Sequence, residues 1–270
     1  MIEQLRIEYP QSVSKACRIL KMSRSTLHYK SIKDDNFFIT ALGSLAEKHP
    51  REGFWKSYGR LRNKGVVVNH KKLYRIYKSI GLAMRRKYKK RLPKREKRPL
   101  VIPSKFTQSW SIDFTSDVLE NGRKFRSFNV IDDYNREVLF IEVDYSLKSS
   151  RVVWVLNHLI GRYGKPQSIR MDNGPELIAG LMTHWSKANS ITFQYIEPGK
   201  PMQNGYIERF NRTYRENVLD SYIFESLEDV REITDEFVKD YNEERPHESL
   251  AGLSPVKYRE MEKQKLAVLN

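Results

Sequence analysis

QNGYIERFNRTYRE, residues 203–216, reads as helix, yet Glu208 stands among Arg209, Arg212 and Arg215. Arg215 lies seven residues past Glu208, two turns away and on the same face. A pair between Glu208 and Arg212 at i+4 would be an exposed bond contributing only ~0.3–0.5 kcal/mol. The other reading is a carboxylate aimed at something outside the helix.

The surroundings favour that second reading. A Pro/Gly-rich loop, PGKPMQNG (198–205), leads into the helix, which reaches about Leu219. Another helix runs from about Leu227 to Tyr241. Upstream, ITFQYI (191–196) is a strand and IAGLMTHWSKANS (178–190) a helix. QSIRMDNG (167–174) is a short buried strand entering a turn. SSRVVWVLNHLIGRYG (149–164) is an amphipathic helix, capped by Ser149 or Ser150 and closed by Gly164. QSWSIDFT (108–115), KFRSFNVIDD (124–133) and EVLFIEVDY (137–145) are three more strands, the last two separated by the turn Tyr134-Asn135-Arg136. The order β-β-β-α-β-α-β-α-α implies an α/β fold: a mixed sheet with helices on its faces.

Two further carboxylates stand out on this frame. Asp113 lies between Ile112 and Phe114, so alternation turns its side chain to the opposite face of its strand. Asp172 sits at the carboxyl end of a strand, where open α/β sheets bind ligands, and Asn173-Gly174 turns the chain away. Thirty-five residues separate Asp172 from Glu208. Each has a plain alternative: Asp172 as a turn former, Asp113 paired with a lysine, Glu208 paired with Arg212. Jointly they have one explanation. Hard divalent cations take oxygen ligands, and two of them ~3.5–4 Å apart serve phosphoryl transfer. Asp132 and Asp133 are nearby rivals for such a role.

Charge points to the same substrate class. The chain carries 49 Lys+Arg against 33 Asp+Glu, a net of +16. Residues 1–108 hold 28 basic and 7 acidic side chains, and residues 109–270 hold 21 and 26. A basic front joined to a slightly acidic remainder suits a nucleic-acid grip attached to another activity. SVSKACRILKMSRSTLHYK (12–30) reads as two short helices with a tight turn, Ser23 capping the second. Arg24, Ser25, Thr26 and His28 would then be the side chains offered to DNA by a helix-turn-helix, the alternative being a plain helical hairpin. In SYGRLRNKGVVVNHKKLYRIYKSIGL (57–82), Asn69 caps a helix with Leu73, Ile76, Tyr77 and Ile80 on one side, and Gly81 stops it. Lys71, Lys72, Arg75 and Lys78 line the other side. In RRKYKKRLPKREKRP, ten of residues 85–98 are Lys or Arg, among them Arg85, Arg86, Lys87, Lys89, Lys90 and Arg91. That run builds no core and reads as a linker tracking a phosphate backbone. The expected organisation is a helix-turn-helix (1–35), a second helical module (36–84), a basic linker (85–103), a catalytic core (104–262) and a tail (263–270). Cys17 is the single cysteine, no run of ~18 apolar residues exists and the start has no signal pattern, so the expected home is a reducing cytoplasm.

IDF, MDNG and PMQNGYIERFNRTYRE together resemble the Asp, Asp, thirty-five, Glu signature of bacterial insertion-sequence transposases and retroviral integrases. Pro201, Gln203, Gly205, Glu208 and Asn211 match the pattern around the glutamate, and Arg215 matches the basic residue that follows it. YNEERPHESLAGLSPVKY (241–258) is similar to the end of such transposases, and the front resembles the helix-turn-helix regions of their catalytic, second-reading-frame product. The resemblance implies an RNase H-like core in which Asp113, Asp172 and Glu208 bind two Mg²⁺ or Mn²⁺. It implies nicking at element ends, then attack of the freed 3′-OH on another phosphodiester, with no covalent enzyme intermediate. It also implies double-stranded DNA as partner, both terminal inverted repeats and target. Asn173, Gln203, Asn204, Arg212 and Arg215 are then expected at that DNA, with Arg212 ambiguous between DNA and Glu208. Two DNA ends imply a homo-oligomer, and the upstream reading-frame product is a possible further partner. The zinc module and leucine-zipper heptad of related systems are missing from the chain. A DNA-binding regulator with a decayed nuclease-like domain, or an RNase H-type nuclease, are the competing readings.

Overall fold

The structure, a computed structural model, describes residue 7 and residues 13–19, 21–28, 34–83, 103–178, 180–196 and 204–269. The basic run 85–98 and Gln203 lie outside them. The chain divides into two compact units, Met1–Ala41 and Leu42–Asn270.

The first unit holds α1 (Val13–Ile19) and α2 (Arg24–His28). The Ser23 hydroxyl accepts from the Thr26 backbone N–H at 3.1 Å, the cap expected of it. Arg24, Ser25 and Thr26 are exposed, and Cys17 is buried. The division between the units falls within α3 (Asn36–Lys48).

In the second unit, α4 (Phe54–Asn63) and α5 (His70–Ser79) form the helical module. Asn69 caps α5 by accepting from the Lys71 N–H, and Leu73, Ile76 and Tyr77 are its buried face. Gly65 and Gly81 stand at φ +83° and +78°, the left-handed conformation that ends each helix at glycine.

The strands are β1 (Ser109–Val118), β2 (Lys124–Asp132), β3 (Val138–Asp144), β4 (Ser168–Met171) and β5 (Thr192–Tyr195). They form one sheet in the order β3-β2-β1-β4-β5. β1 pairs antiparallel with β2 and parallel with β4, so the sheet changes direction at β1. One face carries Trp110, Ile112, Phe128 and Val130 against α6 (Ser149–Tyr163) and α7 (Gly180–Asn189), through Val155, Leu156, Leu159, Met182 and Trp185. The other carries Ile131, Val138, Ile141 and Val143 against α8 (Gly205–Tyr214) and α9 (Leu227–Glu243), through Ile207, Phe210, Tyr214 and Val230. Side-chain alternation along the strands thus builds two apolar layers, each closed by a pair of helices.

Local details differ from expectation in three places. α6 starts at Ser149 with Lys148 at its cap position, and the Ser149 hydroxyl instead donates to the Glu176 carbonyl at 2.8 Å. Beyond α8 the chain winds into a π-helical turn, Arg215–Leu219. After α9, α10 (Pro255–Leu269) runs through the expected boundary at 262 without a break.

Candidate active site

Asp113 faces the α8 side of β1, as alternation requires. One carboxylate oxygen accepts from the Phe114 N–H and the other from the Asn211 side-chain amide, each at 2.8 Å. Asn211 in turn accepts from Asn129 at 2.8 Å. Asn129 is fully buried on β2, directly across the ladder from Asp113. A carboxylate only accepts, so it orients both amides: Asn129 donates to Asn211, which donates to Asp113.

The parallel ladder brings Asp172 alongside. Ser111 on β1 pairs with Arg170 on β4, and two residues further along each chain stand Asp113 and Asp172. Asp172 accepts from the Gly174 N–H at 3.1 Å. A Cβ on Gly174 would lie 3.1 Å from that same carboxylate oxygen, a tight contact that would press on the Asp172 side chain. Glu176 holds the following turn, tied to Arg126 by an ion pair and to Ser149 through its carbonyl. Glu208 projects from the first turn of α8 and is exposed.

The electrostatics join the three. Burial drives the Asp113 carboxyl up to about 6; the Phe114 and Asn211 hydrogen bonds oppose this, and the charges of Asp172 and Glu208 add to it. Partial burial also raises Glu208 above its ordinary value. Among the described residues no cation lies in ion-pair range of Asp113, Asp172 or Glu208, and no three His, Cys, Asp or Glu side chains are gathered in metal-ligand geometry. The donor set is carboxylate oxygen throughout, the chemistry that hard divalent cations take. Repulsion among three like charges, one of them buried, is what such a cation would relieve.

The rival acids are committed elsewhere. Asp132 accepts from the Thr107 and Tyr134 N–H groups at 2.7 and 2.8 Å. Asp133 accepts from Ser109 and Ser111 and faces Arg170 at 3.3 Å. Both are fully buried.

The expected DNA contacts are placed unevenly. Arg212 pairs with Glu216 at 2.8 Å, not with Glu208, and is largely exposed. Arg215 donates to the Ser116 carbonyl at 2.9 Å and faces Asp220 at 3.7 Å, so it braces the π-helical turn against β1. Asn173 donates to the Ile196 carbonyl, and Asn204 is buried with its side-chain oxygen unpartnered. Lys71, Arg75 and Lys78 are exposed on α5, while Lys72 is half-buried. α2 places His28 at its last position. Gln203 and the run from Arg85 to Arg91 lie outside the described residues. Asn129, Arg126 and Glu176 were not singled out from the sequence; the signal available for Asn129 was its place opposite Asp113, which needs the register.

A mixed five-stranded sheet in the order β3-β2-β1-β4-β5, covered by helices on both faces, is the architecture against which the family comparisons are set. Residues 103–201 match one family model described as integrase core domain, and residues 189–255 match a second so described. The chain is 36% identical over 249 residues to a protein of insertion element IS407 from Burkholderia multivorans, covering 92% of this chain and 90% of that one. It is 34% identical to a protein of insertion element IS476 from Xanthomonas euvesicatoria, covering 92% and 72%. Among solved structures, the catalytic core of HTLV-2 integrase in complex with magnesium is similar at 17% identity and a TM-score of 0.47, covering 60% of this chain and 99% of that one. The chain belongs to the integrase-core transposases of bacterial insertion elements, and its core is RNase H-like.

Proposed function

We propose that this transposase cleaves DNA at the ends of its element and joins the freed 3′-OH to target DNA, with Asp113, Asp172 and Glu208 holding the divalent cations. The observation that carries the reading is the shared electrostatics of the three: the charges of Asp172 and Glu208 bear on the buried Asp113, and among the described residues no cation lies in ion-pair range of any of them. Mg²⁺ or Mn²⁺, two per site in this reading, would supply activation of the attacking oxygen and stabilisation of the leaving one. The chain's own residues do the rest. Asn211, backed by Asn129, holds Asp113 in one rotamer, and Gly174 leaves Asp172 room at the strand edge. Glu208 is exposed, has no ion-pair partner among the described residues, and would close on the site from the solvent side. The exposed Lys71, Arg75 and Lys78 of α5 would give the DNA a basic footing, and in the other unit Arg24, Ser25 and Thr26 of α2 would make contacts of their own. The substrate is double-stranded DNA, terminal repeats and target alike. Work on two ends calls for two or more copies of the chain, and the upstream reading-frame product is a candidate companion. The setting is the cytoplasm, at the nucleoid when DNA is bound; among the described residues no helix is long and apolar enough to cross a membrane.

One assay separates the readings. A labelled element-end duplex is incubated with the full chain and Mg²⁺. Joined products support strand transfer, cleavage alone supports a nuclease, and an intact shifted band supports a regulator. Glu208→Gln is expected to abolish cleavage and joining while retaining DNA binding. Full metal-dependent joining by that variant would falsify the assignment.

A further inference from the structure

The helical module carries more aromatic rings than its core encloses. Phe54 and Tyr77 are buried where α4 and α5 meet, their ring centroids 5.5 Å apart. From them the rings continue outward. Trp55 stands edge-on to Phe54 at 5.2 Å and is nevertheless 60% exposed. Tyr58, one turn along α4, is 6.0 Å from Trp55. His70, the first residue of α5, is exposed, with its ring 5.8 Å from Trp55 and 6.4 Å from Tyr58. Tyr74, one turn on from His70, is 4.8 Å from Phe54 and 40% exposed. A continuous strip of rings thus reaches the surface across both helices. Burial does not account for it: a core needs the inner rings and gains little from an indole left mostly in water.

Two cations frame the strip. The Arg62 guanidinium lies over the Tyr58 ring at 5.8 Å, and the Lys78 ammonium over the Tyr74 ring at 5.1 Å. Neither has an ion-pair partner among the described residues. The sequence around them is basic throughout: Gly53 to Arg95 holds sixteen Lys and Arg and no Asp or Glu. A second copy of this chain docking by the same strip would set cations against cations. A polyanion with flat apolar faces fits both parts of the surface. Bases supply the faces, and the nucleic-acid backbone supplies the charge. Inside a duplex those faces are stacked on one another and closed to a protein ring, whereas an unpaired base offers them.

We propose that the strip of Trp55, Tyr58, His70 and Tyr74 is a stacking site for an unpaired base of the DNA, with Arg62 and Lys78 at the flanking phosphates. It rests on the reading of the chain as a DNA transposase, and it adds a preference for DNA whose strands have come apart over DNA that is fully paired. Arg60 of the same helix is bonded to Asp240 of α9 at 2.8 and 2.6 Å, so the platform is anchored to the core.

The test is binding by the full chain, without metal, to two labelled DNAs of equal length, read by fluorescence anisotropy. One is fully paired; the other carries a few mismatched, unpaired bases at one end, so the phosphates are the same in number. The wild-type chain is expected to prefer the mismatched DNA. Trp55→Ala should lose about tenfold on that DNA alone, the size of one base–aromatic stack. No charge is removed, so its log–log salt slope should stay at the wild-type value. Trp55→Phe keeps a ring and should retain most of the preference. Wild-type affinity of Trp55→Ala for the mismatched DNA overturns the site, as does an equal loss on both DNAs. A change in sedimentation with the DNA preference intact also overturns it, since the strip would then join copies of the protein. If Trp55→Ala does not fold, 2-aminopurine at the unpaired position decides with the wild-type chain: quenching on binding supports stacking, and unchanged fluorescence overturns it. A wild-type chain that binds both DNAs equally overturns the site and leaves the transposase reading standing. Binding to neither DNA overturns that reading itself.

Discussion

Asp113 carries an electrostatic penalty that metal would remove, and this makes its stability signature testable. Its folded-state carboxyl stands at about 6, above the ordinary value of 3.8, because burial and then two neighbouring carboxylates disfavour ionisation. The sign follows. Stability from this group is complete below about pH 4 and is lost as pH rises through about 6. Asp113→Asn should therefore stabilise the metal-free chain at pH 8 by about 3 kcal/mol, with the difference vanishing near pH 4, as read by urea unfolding. The fold can accept that variant: the unpartnered Asn129 oxygen lets both amides reverse direction and receive the new donor. A destabilised variant at pH 8 would refute the penalty. Asn211→Leu tests the opposite side, removing the group that orients the carboxylate. Partners of this kind alter metal affinity by roughly 10–100-fold, so calorimetric Mn²⁺ binding should weaken by at least tenfold; unchanged affinity would show that Asp113 needs no orienting. The face that Asp113 takes was legible from alternation, whereas the amide chain that holds it was not. Asn129 and Asn211 are 82 residues apart and meet only through the sheet register.

At the level of elements, the strand and helix order was legible because each has a strong period and a marked end. Asn69, Gly65, Gly81 and Gly164 stop or start helices where their conformations require. What periodicity could not tell was why a residue type occupies a loop. Gly174 reads as half of an Asn-Gly turn, yet its φ is not in the left-handed region, and what a side chain there would crowd is the Asp172 carboxylate. Ser149 reads as a cap, yet it ties α6 to the turn after β4. Gly174→Ala should consequently act on chemistry more than on folding. The added methyl must displace a carboxylate oxygen 3.1 Å away. Joining should fall by tenfold or more, roughly the 1.4 kcal/mol of one misplaced polar contact, while the melting temperature moves by only a few degrees. Equal loss of activity and stability would mean that the whole turn, not Asp172, is disturbed.

For the molecule as a whole, the charge division was legible as composition, and it suggests a basic front that is separable from the core. The structure ties the helical module to the core instead. Arg60 is buried on α4 and forms paired hydrogen bonds with Glu52 and with Asp240 of α9, at 2.6–2.9 Å. Burial works against the Arg60 charge, and the bonds and charges of Glu52 and Asp240 override it. For Glu52, burial raises the carboxyl while Arg60 and Arg245 carry it net below its ordinary value. No local pattern announces a bond across 180 residues, because an arginine in a basic helix reads as surface. A fragment ending near residue 108 would strand Arg60 without Asp240, so DNA binding belongs to tests on the full chain. Removing one member of a buried ion pair leaves its partners charged and desolvated, at a cost of roughly 3–5 kcal/mol. Arg60→Met should lose about that much in urea unfolding, with Asp240 stripped of its paired guanidinium and Glu52 left to Arg245 alone. Asp240→Asn should lose less, because Asp240 is 17% exposed and Arg60 keeps Glu52. The two losses should not add in the double variant, since both remove the same bond. A loss below about 1 kcal/mol for Arg60→Met, within the range of exposed pairs, would mean that the module is only loosely held, and that the path from α5 to the catalytic edge is not fixed by the fold.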